Sequence, residues 1–264
     1  MATRDNTALI TTGVSVLVAA NGSDDVFDAG GGAHVFAIAD GTVGDDTFLN
    51  FGSDDSLLTR KKIFDGNNDG FIAFGPNGVL DVDRTGGGAS RAGADQLTLT
   101  GSGDNAILEV RYLGEKGGNH VYANSATLRN LYDEFGQSSV VEGQVGDDAI
   151  NLGTGAKVLL HDNGLGLNLG GDTVSGFGSD DLFVTTSMLF DKTGNDVVNF
   201  GGNDVLDIAG VGGPKPSDPS TGPGGQVDFV GIDGLAYLGT NQINGVDYYY
   251  YGTGDTTVNP FADA

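Results

Sequence analysis

Adjacent aspartates are the feature of this sequence with the clearest chemical meaning. Five pairs stand in segments rich in Gly, Ser and Asn: Asp24-Asp25, Asp45-Asp46, Asp54-Asp55, Asp147-Asp148 and Asp180-Asp181. Neighbouring carboxylates repel one another, and loss of solvation adds to that cost. A divalent cation removes the repulsion, and calcium suits such turns because it accepts about six to eight oxygen ligands in flexible loops. The pairs therefore predict calcium binding, and the alternative is that they are solvated turn residues.

One six-residue segment has the spacing of a known calcium loop. Asp65, Asn67 and Asp69 match the first half of the EF-hand pattern, D-x-[DN]-x-[DN]-G. The twelfth position holds Pro76 instead of Glu, and no helical pattern precedes the segment. We therefore expect a calcium loop of a different kind, and the alternative is a hairpin turn without metal.

Further ligand candidates stand in the second half of the chain: Asp172, Asp191, Asn195, Asp196, Asn203 and Asp204. The two Asn-Asp steps, each followed by apolar residues, resemble the nonapeptide G-G-x-G-x-D-x-U-x of RTX (repeats-in-toxin) proteins. The wider block resembles degenerate RTX-associated regions of secreted Gram-negative proteins, including the C-terminal ends of serralysin-type proteases. The resemblance implies a parallel β-roll with calcium bound at Gly/Asp turns. It also implies type I secretion with an uncleaved C-terminal signal, and folding outside the cell.

The chain contains an internal duplication. Residues 46–81 align with 172–207 without a gap, and 16 of the 36 positions are identical. An upstream block at 24–36 aligns with 147–159 at an offset of 123 instead of 126. The period is far longer than a solenoid repeat unit, so two similar lobes are expected.

The segments within each copy are short and rich in β-branched and aromatic residues, and Gly, Asn and Asp clusters separate them. This pattern predicts an all-β fold, either a β-roll or β-solenoid or a β-sandwich. Residues 125–136 differ, because Leu128, Leu131, Tyr132 and Phe135 follow helical spacing. We predict a first lobe at 1–124, a short connecting helix at 125–136 and a second lobe at 137–264. A Pro-rich loop is expected at 212–225.

Four consecutive tyrosines, Tyr248, Tyr249, Tyr250 and Tyr251, form the last distinctive motif. On a strand, alternate side chains point to opposite faces. An exposed aromatic row suits contacts with protein partners or stacking on sugar rings. The alternative is a core strand whose outer face is covered by a neighbouring element.

Composition restricts the functional classes. The formal charge is −24, which disfavours nucleic acid and anionic membranes as partners. The sequence has no cysteine, no apolar run long enough to span a membrane and no pattern of a cleavable signal peptide. It also lacks the common nucleophile, zinc-protease and nucleotide-binding motifs. His34, His120 and His161 do not recur in the duplication, so a shared histidine active site is not expected.

These observations favour a secreted, non-enzymatic, calcium-binding structural protein. We expect copies of the chain to associate into a surface layer, a filament or a biofilm matrix, because two related lobes offer surfaces that can join head to tail. A calcium-dependent carbohydrate-binding or adhesin module is one alternative. A secreted hydrolase, or an accessory domain of one, is another.

Overall fold

The computed structural model describes residues 9–11, 13–39, 43–83, 95–208 and 225–261. Within them the protein is all-β with one α-helix, as the sequence predicts. The chain divides into two compact units. Lobe 1 is residues 13–125, and lobe 2 is residues 126–264 together with the N-terminal residues 1–12. All but the last residue of the predicted Pro-rich loop lies outside the described ranges.

Lobe 1 has ten strands: β1 (Ser15–Ala19), β2 (Val26–Asp28), β3 (His34–Ile38), β4 (Asp45–Leu49), β5 (Ser56–Thr59), β6 (Phe71–Ala73), β7 (Leu80–Asp81), β8 (Gln96–Leu99), β9 (Glu109–Lys116) and β10 (Asn119–Asn124). Strands β1 to β5 alternate between two sheets, and β1-β3-β5 and β2-β4-β8 pair in parallel. The chain therefore winds in coils, as in a β-roll. Antiparallel strands β10, β9 and β6 extend the first sheet, and β7 extends the second.

Lobe 2 repeats this topology with β11 (Val140–Glu142), β12 (Ala149–Asn151), β13 (Val158–His161), β14 (Gly171–Ser175), β15 (Leu182–Thr185), β16 (Val197–Asn199), β17 (Leu206–Ile208), β18 (Gly225–Phe229), β19 (Gly234–Ile243) and β20 (Val246–Gly252). Its sheets run β11-β13-β15-β20-β19-β16 and β12-β14-β18-β17. The coil from β2 to β4 takes 21 residues, since Val26 pairs with Thr47. The equivalent coil of lobe 2, from β12 to β14, takes 24 residues, since Ala149 pairs with Thr173.

Aromatic side chains fill the interior of each roll. In lobe 1 the rings of Phe36 and Phe48 stack with centroids 4.3 Å apart, and neither side chain is exposed. In lobe 2 the rings of Phe183 and Phe229 meet edge to face at 5.2 Å. The short strands of these sequences are therefore held together by burial of large apolar groups, the dominant favourable contribution to folding.

Consecutive coils of lobe 2 approach so closely at one turn that only glycine fits. Gly170 has a φ of +117°, and a Cβ on it would overlap the carbonyl group of Gly146 one coil earlier. Gly225 has a φ of +105°, and a Cβ on it would overlap the carbonyl oxygen of Gly170. The glycine content therefore has a direct structural cause at this turn.

The helix α1 (Ala126–Phe135) lies in the same compact unit as lobe 2. It ends before Gly136, which adopts a φ of +82°, as expected of a helix stop. The amide Nδ2 of Asn130 donates to the Ile243 carbonyl (3.0 Å), and Asn244 Nδ2 donates to Asn130 Oδ1 (2.8 Å). The predicted connecting helix is therefore a packed part of lobe 2.

The N-terminal residues 9–11 also belong to lobe 2. Ile10 forms an isolated antiparallel bridge with Leu167, which is completely buried. Thr11 donates its N–H to the Gly166 carbonyl (3.1 Å), and Asn168 donates its N–H to the Leu9 carbonyl (2.7 Å). Lobe 2 is thus completed by a segment that precedes lobe 1 in the sequence.

Candidate calcium sites

In lobe 1, two aspartate pairs stand at the same position of consecutive coils and bond to each other's backbone. Asp24 Oδ1 accepts the N–H of Asp45 (2.9 Å), one coil later. Asp46 Oδ1 accepts the N–H of Asp25 (2.8 Å), one coil earlier. Each carboxylate therefore satisfies a backbone donor at a point where two strands begin, and the two bonds run in opposite directions.

Lobe 2 contains the same reciprocal arrangement. Asp147 Oδ1 accepts the N–H of Gly171 (2.8 Å), and Asp172 Oδ1 accepts the N–H of Asp148 (3.0 Å). Asp148 Oδ2 in turn accepts the N–H of Gln144 (2.6 Å). These aspartates have a structural role in both lobes, because they join successive coils.

Each lobe has another buried aspartate just before a strand, Asp55 before β5 and Asp181 before β15. Asp55 accepts the N–H of His34 (2.8 Å) and of Gly52 (2.7 Å). Asp181 accepts the equivalent donors, Lys157 N–H (2.8 Å) and Gly178 N–H (2.9 Å). The other members of these pairs are a half-buried Asp54 and an exposed Asp180.

Burial of these carboxylates raises their pKa. Desolvation raises the pKa of Asp55 to about 6, and Asp54 adds electrostatic repulsion. Desolvation also raises the pKa of Asp46, where the carboxylates of Asp25, Asp24 and Asp45 contribute further repulsion. Asp46 Oδ2 is buried without a hydrogen-bond partner among the described residues. A cation bound at this cluster would offset the negative charge.

The predicted calcium loop folds around its first aspartate. Asp65 accepts the N–H groups of Asn67 (3.2 Å), Asn68 (2.9 Å) and Gly70 (2.9 Å). The side chains of Asn67 and Asp69 also contact each other, Nδ2 to Oδ2 at 2.9 Å. The side chains of Asp65, Asn67 and Asp69 therefore all form hydrogen bonds within one tight turn before β6.

Lobe 2 builds the equivalent loop from a different sequence. Asp191 accepts the N–H groups of Thr193 (2.8 Å) and Asp196 (2.9 Å), and Thr193 Oγ1 donates to Asn195 Oδ1 (2.6 Å). Although desolvation opposes the effect, the hydrogen bonds from Thr193, Gly194 and Asp196 together lower the pKa of Asp191. These hydrogen bonds therefore favour the charged form of the carboxylate.

The last two candidate calcium ligands predicted from the sequence lie apart from the aspartate pairs and the acidic loops. Asn203 and Asp204 occupy the turn between β16 and β17, where Asp204 adopts a φ of +57°. Within the described ranges, no group of three or more His, Cys, Asp or Glu side chains is placed to hold a metal. A calcium ion in the described turns would therefore also need amide, hydroxyl or backbone carbonyl oxygens, all of which calcium accepts.

The tyrosine run does not form the exposed row considered above. Tyr248 and Tyr250 are completely buried, and Tyr251 is 1% exposed. Tyr248 donates its hydroxyl to the Thr127 carbonyl of α1 (2.8 Å). Tyr249 alone keeps partial exposure. The expectation of a partner-binding surface is therefore wrong for three of the four tyrosines, because α1 and the core cover them.

Tyr251 has a counterpart in lobe 1 that sequence alignment at a fixed offset misses. Its hydroxyl accepts the N–H of Leu189 (2.9 Å), and the hydroxyl of Tyr122 accepts the N–H of Ile63 (2.7 Å). Burial raises the pKa of both tyrosines to about 12. Both hydroxyls therefore stay neutral and fix the segment that leads to the acidic loop of each lobe.

Comparison with protein-family models, with curated proteins and with solved structures finds no match to this chain. Among the described residues, no helix is both long enough and apolar enough to cross a bilayer.

Proposed function

We propose that this protein is a calcium-binding structural protein that works outside the cell and associates with copies of itself. The observation that carries the proposal is the duplicated acidic loop before β6 and β16. Asp65 and Asp191 stand at equivalent positions and draw their loops around a carboxylate in the same way. Retention of this arrangement with different residues supports a common ligand, and the clustered oxygens favour calcium.

The charge of the chain supports the same proposal. At −24, copies of the protein repel one another, and the repulsion opposes any assembly without counterions. Calcium bound at the acidic turns reduces that charge. Millimolar calcium is typical of the extracellular setting that the RTX resemblance implies, and weak loops of this size suit such concentrations.

Self-association is supported by the first coil of lobe 1. Val16 and Val18 on β1 are 42% and 49% exposed, and Val26 on β2 is 69% exposed. Both strands lie at the edge of their sheets. The position equivalent to Val16 in lobe 2 is Val140, which is 7% exposed on the strand that α1 contacts. An uncovered edge with β-branched side chains is a site for pairing with another chain.

Calcium binding is tested by titration calorimetry on the chelator-treated protein. We expect binding that the double variant Asp65→Ala/Asp191→Ala weakens at least tenfold. The double variant Asp133→Ala/Asp255→Ala removes the same charge from exposed positions outside the loops and should bind like wild type. Equal calcium affinity of both double variants would contradict the assignment of the loops.

Assembly is tested by negative-stain microscopy and light scattering of the same proteins. We expect ordered assemblies in millimolar calcium and their loss in chelator. Monomers under both conditions would contradict the structural role, whatever the calcium affinity.

A further inference from the structure

The segment Leu9–Thr11 is held in lobe 2 by backbone pairing of a defined kind. The hydrogen bonds join Thr11 N–H to the Gly166 carbonyl and Asn168 N–H to the Leu9 carbonyl, so they flank the bridge between Ile10 and Leu167. Thr11 Oγ1 adds a third bond to the Gly166 carbonyl (2.7 Å). The pairing is a single antiparallel bridge, the smallest unit of the strand addition by which an extended peptide docks on a backbone edge.

The receiving edge lies in a connection that is longer in the second copy of the duplication than in the first. In the alignment of the two copies, Phe36 corresponds to Leu159 and Asp46 to Asp172. Asp46 follows Phe36 by ten residues, whereas Asp172 follows Leu159 by thirteen. The longer connection contains a short 3-10 turn at Asn163–Leu165 and then the backbone that pairs with the N-terminal segment. Leu165 and Leu167 are completely buried, so the longer connection contributes side chains to the core.

The sequence places an entire lobe between the segment and its receiving edge. Residues 9–11 pack with lobe 2, but the chain continues from them into lobe 1, residues 13–125, before it reaches α1. The segment is therefore joined to lobe 2 by noncovalent contacts and by a covalent path of more than one hundred residues. Closed and exchanged forms would make identical contacts, which is the condition under which exchange between copies costs little.

We propose that the Leu9–Thr11 segment is a donor strand that lobe 2 of one copy accepts from a second copy. The inference rests on the proposed self-association and gives it a mechanism. Because donor and acceptor are different surfaces of the chain, each copy both gives and receives a strand. Such a heterologous contact extends into open chains unless it closes into a ring. A high local concentration, as in a matrix or surface layer, favours exchange over closure.

A disulfide test exploits the absence of cysteine from the chain. Ile10 and Leu167 form a non-hydrogen-bonded antiparallel pair, because the hydrogen bonds lie on either side of them. The Cα atoms of such a pair are about 4.5 Å apart. That separation lies within the range of about 4.4–6.8 Å that a disulfide accepts. We would mix the single variant Ile10→Cys with a tagged Leu167→Cys variant, let the proteins assemble in calcium and oxidise them. Exchange predicts a disulfide-linked heterodimer, in which mass spectrometry finds the peptide around position 10 of one variant crosslinked to the peptide around position 167 of the other.

Two comparisons make the result decisive. Mixing Ile10→Cys with Ala149→Cys, an exposed position of lobe 2, should give at least tenfold less heterodimer. The double variant Ile10→Cys/Leu167→Cys should form multimeric ladders on non-reducing gels after assembly. A double variant that forms only an internal disulfide, under conditions where wild type assembles, would overturn exchange but leave the proposed function standing. Failure of wild type to assemble would overturn both.

A second variant guards against misfolding of the Leu167 substitution. Thr11→Pro removes the N–H and the hydroxyl that bond to Gly166 but leaves lobe 2 unaltered in sequence from residue 126 onward. We expect this variant to retain wild-type circular dichroism and to lose at least most of its calcium-dependent light scattering. Undiminished scattering would contradict the donor-strand proposal.

Discussion

Asp46 Oδ1 accepts a hydrogen bond of 2.8 Å from the backbone N–H of Asp25, the residue at the same position one coil earlier. Together with the opposite bond from Asp45 N–H to Asp24, it joins the first two coils of lobe 1. The paired aspartates are therefore part of the fold itself.

Removal of the Asp46 carboxylate should destabilise lobe 1. In Asp46→Ala the Asp25 N–H loses its acceptor, which costs about 1–2 kcal/mol after the relief of charge burial is allowed for. Asp45→Ala removes the same charge from an exposed side chain next to it and should change the free energy of unfolding by less than about 0.5 kcal/mol. Urea unfolding in chelator at neutral pH measures both variants. Equal losses would show that charge, and not the hydrogen bond, is what matters.

The glycine at the close approach of two coils should not tolerate a side chain. Gly170→Ala forces a Cβ into the Gly146 carbonyl at a positive φ, so we expect lobe 2 to lose more than about 2 kcal/mol. Gly146→Ala is the matched control, since a Cβ there meets no atom within 4 Å. Thermal unfolding followed by circular dichroism compares the two. A Gly170→Ala variant as stable as Gly146→Ala would contradict the close approach.

The stability of lobe 1 should fall as the pH rises through 6. The pKa of Asp55 is about 6 in the folded protein, above its ordinary value of 3.8, so the folded state binds a proton more tightly than the unfolded chain. The stabilising contribution of Asp55 to folding is complete below about pH 4 and is lost above about pH 6. Burial shifts the pKa of Asp46 and Asp181 in the same direction.

The measurement is the urea midpoint at pH 5 and pH 7.5 in chelator. Wild type should be more stable at pH 5, and Asp55→Asn should have a smaller difference because its side chain does not titrate. Asp83→Asn, at an exposed position of the same lobe, should retain the wild-type difference. An unchanged pH dependence in Asp55→Asn would rule out Asp55 as its source.

Tyr248 should matter for the docking of α1, whereas Tyr249 should not. Tyr248→Phe removes the hydroxyl that donates to the Thr127 carbonyl and that accepts from Asn130 Nδ2 at 3.1 Å. We expect a loss of about 1–2 kcal/mol from lobe 2. Tyr249→Phe removes a hydroxyl from a partly exposed ring and should cost less than about 0.5 kcal/mol. Chemical denaturation distinguishes them, and comparable losses would mean that the helix docks by apolar contact alone.

The sequence predicts the all-β class and the helix well, because both depend on local patterns. Leu128 and Leu131 follow helical spacing and are buried in the helix. The choice between roll and sandwich could not be made, since parallel and antiparallel pairing leave the same short strands. The tyrosine run shows a similar limit. Alternation predicts two faces for Tyr248 and Tyr249, but the element that covers a face is decided by tertiary packing.

The candidate sites divide in the same way. The spacing of Asp65, Asn67 and Asp69 predicts a tight turn, and the structure has one there, whereas calcium binding at this turn stays a prediction. The coil-to-coil bonds of the aspartate pairs could not be predicted, because they depend on register between strands 21 or 24 residues apart. The pairing of Ile10 with Leu167 has no sequence signature, since a single backbone bridge requires no particular side chains.

The reciprocal aspartate bonds have a consequence for how such proteins change in size. Both bonds join residues at strand starts, so the intervening turn is free to differ by three residues between the 21-residue coil and the 24-residue coil. A whole coil that contains its own Asp-Asp pair can be inserted or deleted as a unit, because that pair supplies the hydrogen bonds to the neighbouring coils. Lineages of this architecture should therefore lengthen or shorten in steps of one winding, not by gradual extension of strands.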